Sequence, residues 1–585
     1  MSRLRRWGVF LALALALSGC LGDMPSSGPI GFGRENSAAP QSNFVRTIVS
    51  PPASGADALG IVRGFMTAAA GDIGSFATAR LYLAPEVRDE WRPQSEIRVV
   101  ADRDMAWEHD NLRAPGLVRF SSTKVARINT EGEYRLESGS YGTSFRLRLV
   151  NREWRISALP DGLTLSESEL ARSYRSVAIY YVDRTRSVLV PNQIHLPVRP
   201  ALATAMVRAL LKGPTQWLAP SVVSALPAGT TLKVNAVPIV DGVATVDLSE
   251  NVAQASSTER SLLSAQLIHT LRQITEIRGV RITAGGVPLS VPGIDRTQSI
   301  LSWNALGPDA ANNDGLVYLS TPAGLSSLSL SSASANPRLL SSLIPDYTRG
   351  LRWPSVTREG DRLVAIDSAG NLVTAELTRE QGDDVAITGL TVVLPRQGGE
   401  FLRPRWDLSA TYWVAVRGTQ SLRVFSARIG AAPLQASVPV WGRGTISAFA
   451  TSRDGTRAVV SRFDGLRSEV FLMRVVREGR GDDSRVRLEE PIRIATLTGT
   501  VSDLSWNSAS QPLALAGQPG SQRQIWALSI DGAAPNPVGS PINAVAIAAA
   551  PGRAVMAETA DQRLVILRDQ RWVELTAGRD PSFSG

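Results

Sequence analysis

The sequence predicts a multidomain chain: two successive α+β domains, then an all-β propeller of about six blades at the C-terminus. Three observations carry this. Apolar spacing changes from the helical to the strand period within the first 170 residues. A second run of helix, hairpin, helix and strand fills 174–292. From 299 to 585 the text is short strands punctuated by one recurring turn. A length of 585 residues, at roughly 150 per domain, fits three or four domains.

In chain order, residues 1–19 read as a secretion leader. Arg3, Arg5 and Arg6 precede an apolar run from Trp7 to Leu17. The run is too short to cross a bilayer as a helix but suits a signal-peptide core. It ends in Leu17-Ser18-Gly19-Cys20, which resembles a bacterial lipobox. Small residues before the cysteine admit the peptidase, and the resemblance implies S-diacylglycerol and N-palmitoyl groups on Cys20. Cleavage there would lower the net charge from +9 to +6, because the three arginines leave with the leader. Several acyl chains, at about 0.8 kcal/mol per buried CH₂, anchor stably where one would not. Cys20 is the single cysteine, so disulfides within the chain and cysteine-built metal sites are excluded. Residues 20–44 are rich in Gly, Ser and Pro without an apolar period and read as a flexible tether.

The first domain is expected over 45–170. Ala56 to Ala70 sets Leu59, Val62, Phe65 or Met66, and Ala69 on one helical face, with further helix around Phe76 to Leu83. Strand text follows. Ser144 to Leu149 alternates, and Trp154-Arg155-Ile156 resumes after the turn Asn151-Arg152. Helices followed by antiparallel strands resemble the NTF2-like cone. His109, in the polar stretch Trp107 to Asn111, reads as an exposed loop histidine rather than half of a catalytic His–Asp dyad.

The second domain is expected over 174–292. Val177 to Val182 opens it as a strand, and Pro200 to Leu211 is a helix stopped by Gly213-Pro214. Leu232 to Val240 and Val243 to Leu248 flank Asp241-Gly242, a two-residue hairpin turn. Ser256 and Glu259 form a capping box for a helix whose core face is Leu263, Leu267, Leu271 and Ile274. His269 falls on the opposite side with Gln266, Arg272 and Gln273, and reads as solvated; His195 lies in a Pro-flanked loop. Three segments here are similar to the GerMN domain of extracytoplasmic envelope proteins. They are Leu210-Leu211-Lys212-Gly213-Pro214, Leu226-Pro227-Ala228-Gly229-Thr230, and Asp241 to Ser249. Each has a structural reason, so they mark a fold and not a catalytic site. Asp247 and Glu250 stand close in sequence, but nothing complements them as an acid–base pair.

The propeller is expected over 299–585. Its turn is clearest in Ser452-Arg453-Asp454-Gly455-Thr456-Arg457 and recurs with anchors at 360, 410, 455, 510 and 552. The spacings suit a four-stranded blade of about 40–50 residues. The unit resembles the turn of TolB-type propellers. Ile300 to Trp303 with Leu316 to Tyr318 would supply a sixth blade, and the pair Leu564–Leu567 and Trp572–Leu575 would close the ring.

The 62 basic residues, all but Lys124, Lys212 and Lys233 arginine, are dispersed rather than clustered, so a nucleic-acid groove is not indicated and no nucleic-acid partner is expected. Three histidines are few for a metalloenzyme, and no Gly-Lys pair or G-x-S-x-G elbow occurs, so neither a P-loop nor a hydrolase elbow is present. No cofactor, metal or catalytic residue is expected, and no residue pattern signals an oligomeric state. Lipobox, NTF2-like region, GerMN domain and degenerate propeller in this order resemble the actinobacterial lipoprotein LpqB family. The resemblance implies a non-enzymatic protein, lipid-anchored on the extracytoplasmic face of the cell membrane. It also implies association with the ectodomain of the sensor kinase MtrB, affecting envelope homeostasis and division through that two-component system. The alternative is an envelope-glycan-binding or glycan-processing lipoprotein, because carboxylate-only chemistry needs just two acids at the right separation.

Overall fold

The computed structural model describes residues 49–585 except 72–73, 75, 199–200, 311–314, 331–335, 343, 345, 381–383, 419–420, 480–484 and 519. The lipobox (Leu17, Ser18, Gly19, Cys20) and the tether of 20–44 lie outside the described residues. The described residues belong to one compact unit.

The N-terminal domain wraps a sheet around one helix, α1 (Ala58–Gly71), which buries Ile61, Val62, Phe65 and Met66. Two single-turn helices follow, α2 (Ala77–Arg80) and α3 (Pro85–Arg88). The strands are β1 (Ile97–Val100), β2 (Ala106–His109), β3 (Leu117–Ile128), β4 (Tyr134–Leu136), β5 (Ser140–Val150), β6 (Glu153–Ala158) and β7 (Leu163–Ser166). Their order is β6-β5-β3-β1-β7, with β2 and β4 also pairing β3. Asn151 and Arg152 take φ of 52° and 65°, the two-residue hairpin turn that their sequence announced. Phe65 packs edge-on against Trp91 at 5.1 Å, so the helix and the aromatic core lock together. Helix α4 (Glu167–Ser173), capped by a Ser166–Glu169 box, leads out of the domain.

The second domain opens on the hairpin β8 (Tyr174–Asp183) and β9 (Leu189–Pro197), joined by β10 (Val222–Val223). Helix α5 (Leu202–Lys212) buries Met206, Val207 and Leu210. A second sheet holds β11 (Ile239–Val240), β12 (Val243–Leu248), β13 (Gly279–Ala284), β14 (Val287–Pro288) and β15 (Thr297–Ser299). Parallel β12 and β13 are connected through α6 (Ser257–Leu271), which carries the expected Ser256–Glu259 capping box. Asp241 and Gly242 have φ of 51° and 78°, as a hairpin turn of this type requires.

The C-terminal region is six β-sheets set in a ring. Blade 1 holds Leu316–Thr321, Gly324–Ser329, Arg338–Leu339 and Arg579–Phe583; blade 2 runs from Arg352 to Leu394. Blade 3 spans Glu400 to Ala436, its inner strand interrupted between Phe401 and Arg405, where Pro404 cannot donate to the ladder. Blade 4 spans Thr445 to Thr498, blade 5 Thr500 to Gly539, and blade 6 Ala544 to Ala577. Each blade packs on its neighbours around the whole ring. Two expectations need correction. Leu564–Leu567 and Trp572–Leu575 do not close the ring; they belong to the two outer strands of blade 6. Closure comes from Arg579–Phe583, which pairs with Leu316–Thr321 of blade 1. Similarly, Ile300–Trp303 supplies no blade strand: it is a turn that follows Thr297–Ser299, the strand pairing β13, and Ile300 and Trp303 pack on the core of the second domain. The inner strand of blade 6 is Ala544–Ala548, which reads AVAIA and has too little side-chain contrast to register as a strand.

Candidate functional site

The recurring turn lies between the first and second strands of a blade, so all copies emerge on one face of the ring. That face carries the second domain. The clearest copy, Ser452–Arg457, is buried almost completely, as little as 0–1% exposed at Ser452, Asp454 and Arg457. Asp454 and Arg457 form an ion pair, and Asp454 also accepts from the backbone N–H of Thr456 at 2.9 Å. Burial alone would raise the Asp454 carboxyl, but Arg457 and the Thr456 bonds hold it below the usual range. Arg457 donates onward to the Pro191 carbonyl of β9 (3.3 Å), and Arg453 donates to the Ala310 carbonyl (3.3 Å). Burial pulls Arg453 down to about 10. Gly455 is obligatory here: its φ is +65°, and a Cβ would sit 2.3 Å from Asp407 Oδ2. Further links cross the same joint. Ser221 Oγ donates to the Val475 carbonyl (2.8 Å), and Ser187 and Ser409 hydroxyls meet at 3.0 Å. The Asp309 carboxylate accepts from Ala509 N–H (2.7 Å), and burial raises its pKa.

All three domains converge beside this joint. Tyr134 of β4 stacks on His195 of β9 at 5.2 Å, and Ser176 of β8 donates to Asp531 of blade 5 at 2.5 Å. Trp217 bridges in the same way. Its Nε1 donates to the Glu490 carbonyl of blade 4 (3.0 Å), its own carbonyl accepts from Arg474 (2.9 Å), and the Arg135 guanidinium of β4 lies over its ring.

The sequence-predicted histidines are placed differently from expectation. His269 is fully buried, not solvated; Nε2 lies 3.1 Å from the Trp303 carbonyl and the ring meets Tyr180 edge-on at 5.4 Å. Burial, assisted by Arg272, lowers its pKa to about 4. His195 sits within β9, not a loop, and burial lowers its pKa also. His109 ends β2 rather than lying in a loop; its ring nitrogens meet the Leu117 carbonyl (3.1 Å) and Asn111. Asp247 accepts from Thr283 Oγ1 (2.6 Å) and Gly286 N–H (2.8 Å), clamping the hairpin that β13 and β14 form, while Glu250 faces Lys233 at 3.8 Å. They are engaged separately and do not form a pair. A cleft of about 60 Å³ between the first two domains is lined by Glu131, Tyr181, Asn192, Lys212 and Thr215. It has room for water but not for a metabolite.

The comparisons with known proteins follow this layout. The model "Lipoprotein LpqB, N-terminal domain" matches residues 51–171, "Sporulation and spore germination" matches 178–290, and "Lipoprotein LpqB beta-propeller domain" matches 329–584. The chain belongs to the LpqB lipoprotein family. Among curated relatives, Lipoprotein LpqB of Thermobifida fusca is 28% identical, covering 98% of this chain and 97% of its own. That of Streptomyces coelicolor is also 28% identical, covering 97% and 96%. A solved first GerMN domain of the sporulation protein GerM from Bacillus subtilis is 22% identical, covering 21% of this chain and 97% of its own with a TM-score of 0.19.

In this LpqB-family chain the axis of the propeller is filled by arginine. Arg403 of blade 3 reaches across to the carbonyls of Ile547 in blade 6 (3.1 Å) and Pro581 in the closing strand (3.2 Å), with Asp503 at 3.7 Å. Arg405 donates to the Leu504 carbonyl of blade 5 (3.0 Å); burial, with Arg403 beside it, lowers its pKa to about 10. Arg352 grips Asp580 through two bonds of 3.1 Å. Arg403 thus ties blade 3 to the opposite blade 6, Arg405 ties it to blade 5, and the Arg352–Asp580 pair joins the neighbouring blades 2 and 1. Sequence reading missed them because their partners are mostly backbone carbonyls, which carry no residue-type signal.

Proposed function

We propose that the protein is a lipid-anchored extracytoplasmic accessory protein that binds and modulates the ectodomain of an MtrB-like sensor histidine kinase, and so affects envelope homeostasis and division. The observation that carries this reading is the match of LpqB-family models to both ends of the described chain. The anchor would be Cys20, lipidated as its lipobox implies, with 20–44 as the tether. Among the described residues no helix is long and apolar enough to cross a membrane, which is compatible with attachment through lipid. The first domain's sheet folded about α1 supports an NTF2-like cone. The accessory role is supported by how the chemistry-bearing side chains are spent. His269 is buried by its neighbours, Asp247 clamps a hairpin, and Asp454 neutralises Arg457.

Crosslinking at native expression, followed by pull-down from membranes, tests the partner. The sensor kinase should be retained; retention of a peptidoglycan or glycan polymer without any histidine kinase would favour the glycan-lipoprotein alternative. Fractionating a Cys20→Ala variant tests the anchor. It should leave the membrane fraction, and firm retention would refute lipidation at Cys20.

A further inference from the structure

The three domains converge around one imidazole. The backbone N–H of His195 in β9 donates to the Gly132 carbonyl of the first domain (2.8 Å), and its ring stacks on Tyr134 of β4 at 5.2 Å, 28° from parallel. Directly across the β8–β9 register stands Ser176. Its hydroxyl donates to Asp531 of blade 5 (2.5 Å) and accepts from Gln193 Nε2 (2.8 Å). Gly532, next to Asp531, lies against the same tyrosine; a Cβ there would stand 3.7 Å from the Tyr134 ring. His195 Nδ1 is shut off from solvent and has no hydrogen-bonding partner among the described residues. A neutral imidazole tolerates this by carrying its one proton on Nε2. An imidazolium does not, because its second N–H would be buried with nothing to accept it.

The charged groups around the ring do not supply that acceptor. β9 itself holds no other titratable residue. Asp531 is the acid whose charge reaches the imidazole, but Ser176 takes its Oδ2, and Ser529 Oγ (2.5 Å) and Ala533 N–H (3.1 Å) take its Oδ1. In the first domain, Glu133 is engaged by Asn129 (3.0 Å) and Arg135 (3.1 Å), and Glu131 accepts from Gln216 N–H (3.0 Å). Burial, with the charges of Asp531 and Glu167 behind it, keeps the Tyr134 hydroxyl protonated. We propose that His195 is a pH-sensitive latch: neutral, it keeps the first domain docked through Tyr134, and protonated, it loosens that docking. The sign follows from burial, which outweighs Asp531 and holds the docked imidazole below its usual 6.5. Docking is therefore complete above about pH 6.5 and weakens as the pH falls below it.

The test uses the full chain with Cys20→Ala, so that only introduced cysteines take a spin label. Leu112→Cys on the first domain and Val440→Cys on the propeller are both exposed positions. Their distance distribution is read by double electron–electron resonance at pH 7.5 and pH 5.5. The released population should grow by up to about tenfold per pH unit, the limit for uptake of one proton. His195→Gln and His195→Phe, the second of which keeps a ring against Tyr134, should each give the same distribution at both pH values. His269→Gln should keep the response of the parent chain, and loss of the response there would move the latch to the wrong histidine and overturn the proposal. A second label pair within the propeller, Leu466→Cys with Ile542→Cys, should not change. If that pair broadens together with the first, the chain is unfolding and the latch is refuted. An unaltered 112–440 distribution in the parent chain, or an equal pH response in the His195 variants, overturns it as well.

Discussion

His269 shows how far a single side chain departs from its helical-wheel position. The wheel puts it on the polar side of α6, and that is where it lies. The polar side is not solvated, because the segment through Trp303 and Gly307 covers it; a Cβ on Gly307 would stand 2.7 Å from the imidazole Cε1. With Nε2–H donating to the Trp303 carbonyl, Nδ1 has no partner among the described residues, so the ring is held neutral. Its folded pKa of about 4 lies below the usual 6.5. The unfolded chain therefore takes up a proton first as the pH falls. The stabilisation is complete above about pH 6.5 and is lost progressively as pH falls towards 4. Linkage puts the loss near 2 kcal/mol at pH 5. Unfolding free energies from urea titrations at pH 7.5 and pH 5 should differ by at least that amount, and His269→Gln should remove about 2 kcal/mol of the difference. A wild-type midpoint insensitive to pH over this range would contradict the neutral buried ring.

At the scale of elements, α6 does more than fill the core. Its polar residues Gln266 and Thr270, with Gln273 just past its C-terminal cap, lie along the edge of β8 that no strand pairs there. Gln273 Oε1 accepts from Ala178 N–H (2.9 Å) and Nε2 donates to the Ala178 carbonyl (2.6 Å). Thr270 Oγ1 accepts from Tyr180 N–H (3.1 Å), and Gln266 Nε2 donates to the Tyr180 carbonyl (2.8 Å). Side-chain amides thus stand in for a missing strand and keep an exposed edge from pairing elsewhere. The double variant Gln266→Leu with Gln273→Leu keeps the bulk but leaves backbone groups of β8 unpaired. At about 1–3 kcal/mol per buried unsatisfied group, it should lose several kcal/mol in urea unfolding and lose amide protection at Ala178. Preserved protection would show that the stripe is dispensable. Much of the element layout was legible: the Asp241-Gly242 and Asn151-Arg152 hairpins and the Ser256–Glu259 box announce themselves through local geometry. In the sequence the amide stripe reads as a wet face, because amides look alike whether they meet water or a strand. The closing strand was missed because RDPSF has no alternation, and its partners lie at Leu316–Thr321, far back in the chain.

At the scale of the molecule, the three domains share polar joints rather than separate surfaces. The turn Ser452–Arg457 was readable as a blade marker. Its burial beneath the second domain was not, because Arg457 and Arg453 are held by the carbonyls of Pro191 and Ala310. Trp217 is the sharpest test of whether these joints couple the domains. It belongs to the second domain, its indole and carbonyl bind blade 4, and Arg135 of the first domain covers its ring. Interfaces within a chain are ordinarily modest and permit relative motion; a tryptophan shared three ways opposes that motion. Trp217→Ala removes both the indole bond and the ring under Arg135, while leaving each domain's own core largely in place. Calorimetry of the wild-type chain should show one dominant unfolding transition. In Trp217→Ala it should split, with the first two domains melting about 2–4 °C earlier for each kcal/mol of coupling lost. An unsplit transition at the wild-type midpoint would mean that the domains are coupled by contacts other than Trp217, such as the Arg457–Pro191 and Ser221–Val475 bonds.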